Sequence, residues 1–208
     1  MDRPLQEWRW LELWPLALIA IVIASWALYH FLAPRSWRDW AGAGAVQAFI
    51  IALYAEMYGF PLTIYVLTSF LHVPIPLVHG SGHLWATLLG YGSAGALVEM
   101  ILGYAFVVAG LVLLTKGWRA IVHARGRLIT DGIYARVRHP QYSGLFLAIL
   151  GEVVHWPTLP TLLLTPVIVW LYLRLAWREE ERLLHAFGQR YQDYRQRVPA
   201  FMPVLRRR

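Results

Sequence analysis

Apolar residues dominate this 208-residue chain in five long stretches that are separated by short polar segments. Each stretch is long enough, or nearly so, to cross a hydrocarbon core of about 30 Å as a helix. The stretches run over Leu13–Leu32, Val46–Leu71, Leu84–Leu114, Gly144–His155 and Leu159–Ala176. The pattern therefore predicts an all-α, polytopic membrane bundle of about five transmembrane helices.

Two of the predicted spans depart from a simple crossing. The second contains Gly59-Phe60-Pro61, which predicts a kink because proline removes a helix donor and clashes with the preceding turn. The fourth is short, so it is either tilted or starts earlier, within His139–Tyr142. The fourth and fifth spans form a hairpin that turns at His155-Trp156-Pro157.

The composition supports a lipid-facing surface. Hydrophobic residues make up 58% of the chain and charged residues 15%, with a mean hydropathy of +0.47, whereas soluble domains carry about 25% charged residues. The absence of cysteine excludes disulfides, thiolate metal sites and a cysteine nucleophile. In a membrane chain, the net charge of +7 indicates anionic lipid as a partner and no nucleic acid. We infer no obligate protein partner.

Basic residues are sorted to one side of the predicted bundle. With five spans, 17 of the 19 Lys and Arg residues fall on one face, and only Arg3 and Arg9 fall on the other. Cytoplasmic loops carry the excess of Lys and Arg. We therefore expect the N-terminus outside and the C-terminus in the cytoplasm. A composition rich in Arg, Ala and Trp with a single Lys indicates a bacterial source, and hence the inner membrane.

Two polar segments lie where the open ends of the last hairpin meet. One runs from Leu128 to Gly144 and the other from Arg174 to Leu184. The topology alone places Arg138, His139 and Tyr142 near Arg174, Glu179 and Glu180. Such a cluster fits a polar cleft open to the cytoplasm and the lipid. It fits equally a solvated helix start with salt bridges, or a phospholipid headgroup anchor.

Several motifs in this region together resemble a known family. They are Leu128-Ile129-Thr130-Asp131-Gly132-Ile133-Tyr134, Arg138-His139-Pro140-Gln141-Tyr142-Ser143-Gly144, Glu179-Glu180, Phe187-Gly188, Tyr191, Tyr194 and Val198–Pro203. Their order and spacing are similar to those of the isoprenylcysteine carboxyl methyltransferase and phospholipid methyltransferase group of membrane enzymes. The resemblance divides the chain into N-terminal helices over residues 1–115 and a methyltransferase core over 116–208.

The resemblance implies methyl transfer from S-adenosylmethionine to a small or lipid-like acceptor at the cytoplasmic membrane face. It implies that Arg174 and Glu180 act on the acceptor as catalytic residues. The residues implied to bind the cofactor are Leu128, Ile129, Gly132, Tyr134, His139, Pro140, Tyr142, Gly144, Glu179 and Glu180. No metal is implied. Phospholipid N-methylation, carboxyl or thiol methylation, and a non-catalytic scaffold or carrier that kept the pocket remain alternatives.

Other polar residues have plainer interpretations. His79 and His83 flank Gly-Ser-Gly, which favours an external flexible loop over a metal site. Glu56 and Glu99 lie within predicted spans, where an ionisable residue is a functional hypothesis by default, although neither is assigned a catalytic role. Residues 182–208 have the spacing of an amphipathic helix on anionic lipid, ending in a solvated arginine tail.

Overall fold

The computed structural model describes residues 12–32, 39–76, 79–124 and 126–203. Within these ranges the chain is helical and contains no strand. The helices are α1 (Trp14–Leu32), α2 (Asp39–Tyr58), α3 (Leu62–Ser69), α4 (Leu84–Leu89), α5 (Gly92–Ala124), α6 (Pro140–His155), α7 (Leu159–Phe187) and α8 (Gln189–Arg197). Two 3₁₀ turns, His79–Gly82 and Gly132–Ala135, complete the described elements. Residues Arg3, Arg9, Arg35 and Arg38 and the arginine tail lie outside them.

Four of these helices, α1, α2, α5 and α7, are long and apolar enough to cross a membrane. Large apolar side chains cover their outer faces, including Leu18, Val22 and Leu163, which are each at least 60% exposed. Such a surface is stable only in lipid, and the chain is an integral membrane protein. The 16-residue α6 measures about 24 Å, less than the roughly 30 Å of a hydrocarbon core.

The predicted second and third spans are each broken in two. The second helix ends at Tyr58 and resumes at Leu62, so the predicted kink at Gly59–Pro61 is a complete break. The third is divided between α4 and α5 by Gly90 and Gly92, both with positive φ, a conformation that glycine adopts without strain. The fourth starts at Pro140, within His139–Tyr142, the range given above for an earlier start. The domain boundary at 115/116 falls inside α5.

Helices α5 and α6 pack backbone to backbone through a row of glycines. A Cβ added to Gly110 would lie 2.5 Å from the Gly144 carbonyl oxygen, and one added to Gly103 would lie 2.7 Å from that of Gly151. Small residues permit this close approach in a membrane, where packing and not hydrophobicity holds helices together. The pair is antiparallel, because Gly117 contacts Pro140 at one end and Gly103 contacts His155 at the other. We call these the motif end and the opposite end.

Glu56 and Glu99 each accept a backbone N–H at the start of a short helix. Glu56 Oε2 lies 2.8 Å from the Thr63 nitrogen in the first turn of α3, and Glu99 Oε1 accepts from the nitrogen of Ala86 in α4. Unpaired backbone donors are costly in a bilayer, and the first turn of every helix has them. The structure therefore gives both acids a capping role.

The segment His79–His83 is a packed turn, which corrects the expectation of a flexible loop. Ser81 and Gly82 are buried, the His79 ring contacts Trp156, and His83 Nδ1 lies 3.1 Å from the His155 carbonyl oxygen. Apolar packing against the α6–α7 turn orders it.

The C-terminal segment also differs from its prediction. Helix α7 continues to Phe187, the chain turns at Gly188 with φ of +53°, and α8 follows. Tyr191 and Tyr194 are buried with Val198 in a small apolar cluster. The prediction that this segment lies on lipid is therefore wrong for α8, because the aromatic face of α8 packs against the protein.

Candidate functional site

Arg138 and His139 are held in position at the motif end by a returning stretch of chain. The backbone nitrogens of Arg138 and His139 donate to the carbonyl oxygens of Pro199 and Ala200, both at 2.9 Å. The Ser143 hydroxyl donates to the Phe201 carbonyl at 2.8 Å. Pro140 then starts α6 at its first position, where its missing N–H costs nothing. The loop before α6 and the segment after α8 are thus fixed to one another.

Glu180 is the charged centre of this arrangement. Its Oε1 accepts from Arg138 Nε at 2.9 Å and Nη2 at 2.7 Å, and its Oε2 lies 3.2 Å from Arg195 Nε. Its side chain is only 7% exposed. Two guanidinium groups favour the ionised carboxylate and compensate for its burial. Glu180 thereby links α7 to the α6 loop and to α8.

His139 lies between two carboxylates and two aromatic rings. Its Nε2 is 3.1 Å from Glu180 Oε1, and its Nδ1 is 3.6 Å from Glu179 Oε2. Burial alone lowers the pKa of His139, but hydrogen bonds to Glu179 and Glu180 outweigh it, so the pKa is raised. The ring stacks on Tyr142 and Phe201. Both ring nitrogens are engaged within the protein.

A cleft of about 370 Å³ opens beside His139, a volume suited to a small-molecule ligand. Its polar lining includes Glu179, whose side chain is 42% exposed, while Ile129, Leu183 and Phe187 form an apolar wall. The cleft thus offers a carboxylate beside a wall for a flat apolar group. It is bounded by the end of α5, the loop before α6, and α7.

Two further cavities lie between this cleft and the interior of the bundle. The second cleft, of about 260 Å³, shares Tyr142 and Glu179 with the first and is also lined by Arg178 and Arg182. An apolar groove of about 310 Å³ lies between α1, α2, α5 and α6 and shares Phe31 and Leu32 with the second cleft. The three cavities therefore follow one another from the polar end into the membrane region.

The structure brings half of the predicted cofactor residues to the first cleft. Ile129, Tyr134, His139, Tyr142 and Glu179 line it. The other five lie behind or beside it: Leu128 packs on the Tyr191 cluster, Gly132 is exposed with φ of +58°, Pro140 and Gly144 are buried against α5, and Glu180 is enclosed by arginines.

Arg174, predicted to act on the acceptor, is placed elsewhere. It is exposed on α7, its guanidinium lies 5.4 Å from the Trp170 ring centroid, and it lines neither cleft. Arg178 and Arg182, one and two turns further along the helix, line the second cleft instead.

Some residues of the site were not predicted as such. Arg195 pairs with Glu180, and the Tyr194 hydroxyl donates to the Tyr134 carbonyl at 2.7 Å. Phe201 covers His139. Tyr194 and Phe201 belong to the sequence motifs, which reveal no partner for them, and Arg195 belongs to none.

Part of this sequence is similar to known proteins. A family model described as phospholipid methyltransferase matches residues 96–190. A protein-S-isoprenylcysteine O-methyltransferase of Schizosaccharomyces pombe is 38% identical over 79 residues, covering 38% of this chain and 34% of the relative. The enzyme of that name from Mus musculus is 30% identical over 126 residues, covering 55% and 42%.

A third relative is protein-S-isoprenylcysteine O-methyltransferase B of Arabidopsis thaliana, 28% identical over 129 residues, covering 59% of this chain and 62% of the relative. The chain spans about a third to two-fifths of the length of the first two relatives.

Fold and site define a helical integral membrane protein with a polar cleft at one end of the bundle. The matches then confirm the resemblance that the motifs indicated. Over the segment that carries the cleft, the chain is similar to the isoprenylcysteine carboxyl methyltransferase and phospholipid methyltransferase family.

Proposed function

We propose that this chain is a membrane methyltransferase that uses S-adenosylmethionine and methylates a small or lipid-like acceptor. The observation that carries the proposal is that the cavities are neighbours. A polar cleft shares Tyr142 and Glu179 with a second cleft, which shares Phe31 and Leu32 with an apolar groove in the membrane region. A soluble cofactor in the first cleft and a membrane-dissolved acceptor in the second can therefore approach each other beside Tyr142 and Glu179.

The residues of the first cleft fit the proposed cofactor. Glu179 suits the ammonium group of the methionine part, and the apolar wall of Ile129, Leu183 and Phe187 suits a flat aromatic base. When bound, S-adenosylmethionine supplies a methyl group on a positively charged sulfur. The protein supplies proximity, alignment and exclusion of water. His139 and Tyr142 form the rigid floor.

The geometry supports a positioning role for Glu180. Both of its oxygens are held by arginines, so it is poorly placed to take a proton. His139 is similarly engaged at both ring nitrogens. An acceptor that is already nucleophilic, such as a carboxylate or thiolate, needs no base. An ammonium group must first lose a proton.

The second cleft supports an anionic acceptor. Arg178 and Arg182 line it, and guanidinium groups bind carboxylates in two-pronged geometry. The apolar groove that follows accommodates a hydrocarbon portion. We therefore favour carboxyl or thiol methylation of a lipid-like acceptor over N-methylation of a phospholipid headgroup. In this proposal Arg178 and Arg182 orient the acceptor. Arg174 could contact the acceptor only after a rearrangement of α7.

We extend the proposal to topology and location. Counting α6 with the four long helices gives five crossings, with the N-terminus outside and the C-terminus in the cytoplasm. The motif end then faces the cytoplasm of a bacterium, at its inner membrane, and residues 116–208 form the methyl-transfer core on the scaffold of 1–115. A reporter fused after Arg208 should appear on the cytoplasmic face.

Transfer of labelled methyl groups tests the function. Purified protein in native-lipid nanodiscs should transfer tritiated methyl groups from S-adenosylmethionine to a compound in a total lipid or thiol extract, identified by mass spectrometry. Tyr142→Ala and Glu179→Gln should abolish or strongly reduce transfer, whereas Glu181→Gln, an exposed neighbour, should not.

Calorimetry separates an enzyme from a scaffold or carrier. Binding of S-adenosylmethionine without transfer to any fraction would favour the non-catalytic alternative. Absence of binding by the folded wild-type protein would refute the methyltransferase proposal.

A further inference from the structure

Glu152 is an intramembrane acid with a setting unlike that of Glu56 and Glu99. Those two accept backbone N–H groups that would otherwise be unpaired. Glu152, in the last turn of α6, instead lines the apolar groove. Its side chain is 16% exposed. A carboxylate on a cavity wall at membrane depth is costly, so its position calls for a purpose other than capping.

Among the described residues that line the groove, all are apolar except Glu152 and Tyr54, which come from α6 and α2. Phe31 and Leu32, which the groove shares with the second cleft, lie at its motif end. The two polar residues lie at the other end of the groove, towards the opposite end of the bundle.

The surroundings of Glu152 leave acceptor capacity. Tyr54 lines the same groove, and His155 Nδ1 lies 3.9 Å from Oε2, too far for a hydrogen bond. A carboxylate has about four acceptor sites, so these neighbours do not exhaust it.

The geometry points to a polar subsite: we propose that Glu152 and Tyr54 bind a hydrogen-bond donor, a hydroxyl or an amine, at the far end of the acceptor's hydrocarbon chain. This inference rests on the proposed function for the identity of the occupant. From Tyr142, at the second cleft, to Glu152 is ten residues of α6, or about 15 Å. The acceptor class is thus an amphiphile with an anionic head and a distal donor.

Charge complementarity at both ends supports this occupant. Arg178 and Arg182 face an anionic head in the second cleft, and Glu152 suits a donor at the opposite terminus. A hydrocarbon chain with a methyl terminus would offer this carboxylate no donor in an apolar cavity, and that loss is the basis of selectivity.

Equilibrium binding of two defined probes tests the subsite without requiring turnover. Tritiated dodecanoic acid and 12-hydroxydodecanoic acid are bound to the full chain in nanodiscs, and binding to empty nanodiscs is subtracted. The hydroxylated probe should bind wild-type protein roughly tenfold or more tightly, the range expected for a hydrogen bond to a charged group. In Glu152→Gln the ratio of the two dissociation constants should fall towards one.

Tyr54→Phe should reduce the ratio partially, and it keeps the test valid if Glu152→Gln does not fold. Matched controls are Glu181→Gln and Tyr65→Phe, exposed residues outside the groove, which should keep the wild-type ratio. A ratio near one in wild-type protein, or an unchanged ratio in folded Glu152→Gln, would overturn the subsite.

The two proposals fail separately. Binding of S-adenosylmethionine is measured on the same samples by calorimetry. Loss of probe selectivity with cofactor binding intact refutes only the subsite. Intact selectivity without cofactor binding refutes the methyltransferase.

Discussion

Replacing Arg138 by methionine removes the group that holds the site together. Its guanidinium makes two hydrogen bonds to Glu180 Oε1, at 2.9 and 2.7 Å. It also donates to the Arg195 carbonyl at 3.0 Å and to the Val198 carbonyl. The side chain is 11% exposed. Methionine keeps much of the apolar stem but donates nothing.

The expected loss follows from these contacts. Removing one partner of a buried ion pair costs about 3–5 kcal/mol because the other charge is left buried. Arg195 remains beside Glu180, but it is half exposed and compensates little. We therefore expect Arg138→Met to lower the free energy of unfolding by about 3 kcal/mol and to weaken binding of S-adenosylmethionine.

A double-mutant cycle with Glu180→Gln isolates the pair. The unfolding free energies of the wild type, both single variants and the double variant are measured by reversible denaturation with SDS in mixed micelles. The double variant should be more stable than the sum of the single losses predicts, by at least about 1.5 kcal/mol.

Arg190→Met, at an exposed position of α8, serves as the control and should change little. Single losses that simply add, or a loss below about 1 kcal/mol in Arg138→Met, would show that the ion pair does not organise the site.

Two further substitutions test contacts around the site and within the bundle. Tyr194→Phe removes the 2.7 Å donation to Tyr134 and should cost about 1–2 kcal/mol while weakening cofactor binding in calorimetry. Tyr191→Phe is its control, because the Tyr191 hydroxyl has no hydrogen-bond partner among the described residues. Gly110→Ala forces a Cβ against α6 and should lower stability by about 1–3 kcal/mol in thermal unfolding; Gly44→Ala, with nothing within 4 Å, should not. If variant and control had equal effects, the Tyr194 hydrogen bond, or for the second pair the close packing at Gly110, would be contradicted.

The long apolar runs predicted the class of fold, because in a chain with little charge such runs form few structures other than membrane helices. It did not locate the ends of those helices. Gly90 and Gly92 divide a run that looks continuous, and the run alone cannot distinguish an interior glycine from a break. Capping by Glu99 and Glu56 depends on contacts between helices, which no local pattern encodes.

The site was predictable in location but not in detail. The hairpin topology brings His139 and Glu180 together, as the structure has them at 3.1 Å. Arg174 and Arg178 are a single helical turn apart, and spacing alone could not decide which of the two faces a cleft. Glu152 carries no motif at all, so only its position on the groove wall distinguishes it.

The pairing of Arg138 with the segment after α8 has a consequence for biosynthesis. The Arg138 side chain and the Val198 carbonyl that accepts from it are 60 residues apart. At roughly 5–20 residues per second, synthesis of that interval takes on the order of several seconds. During that time Arg138 lacks the Val198 carbonyl, and in the later part of it Glu180 has been made while Arg195 has not. Maturation of the protein is therefore expected to end with a late docking step, after translation has delivered residues 195–201.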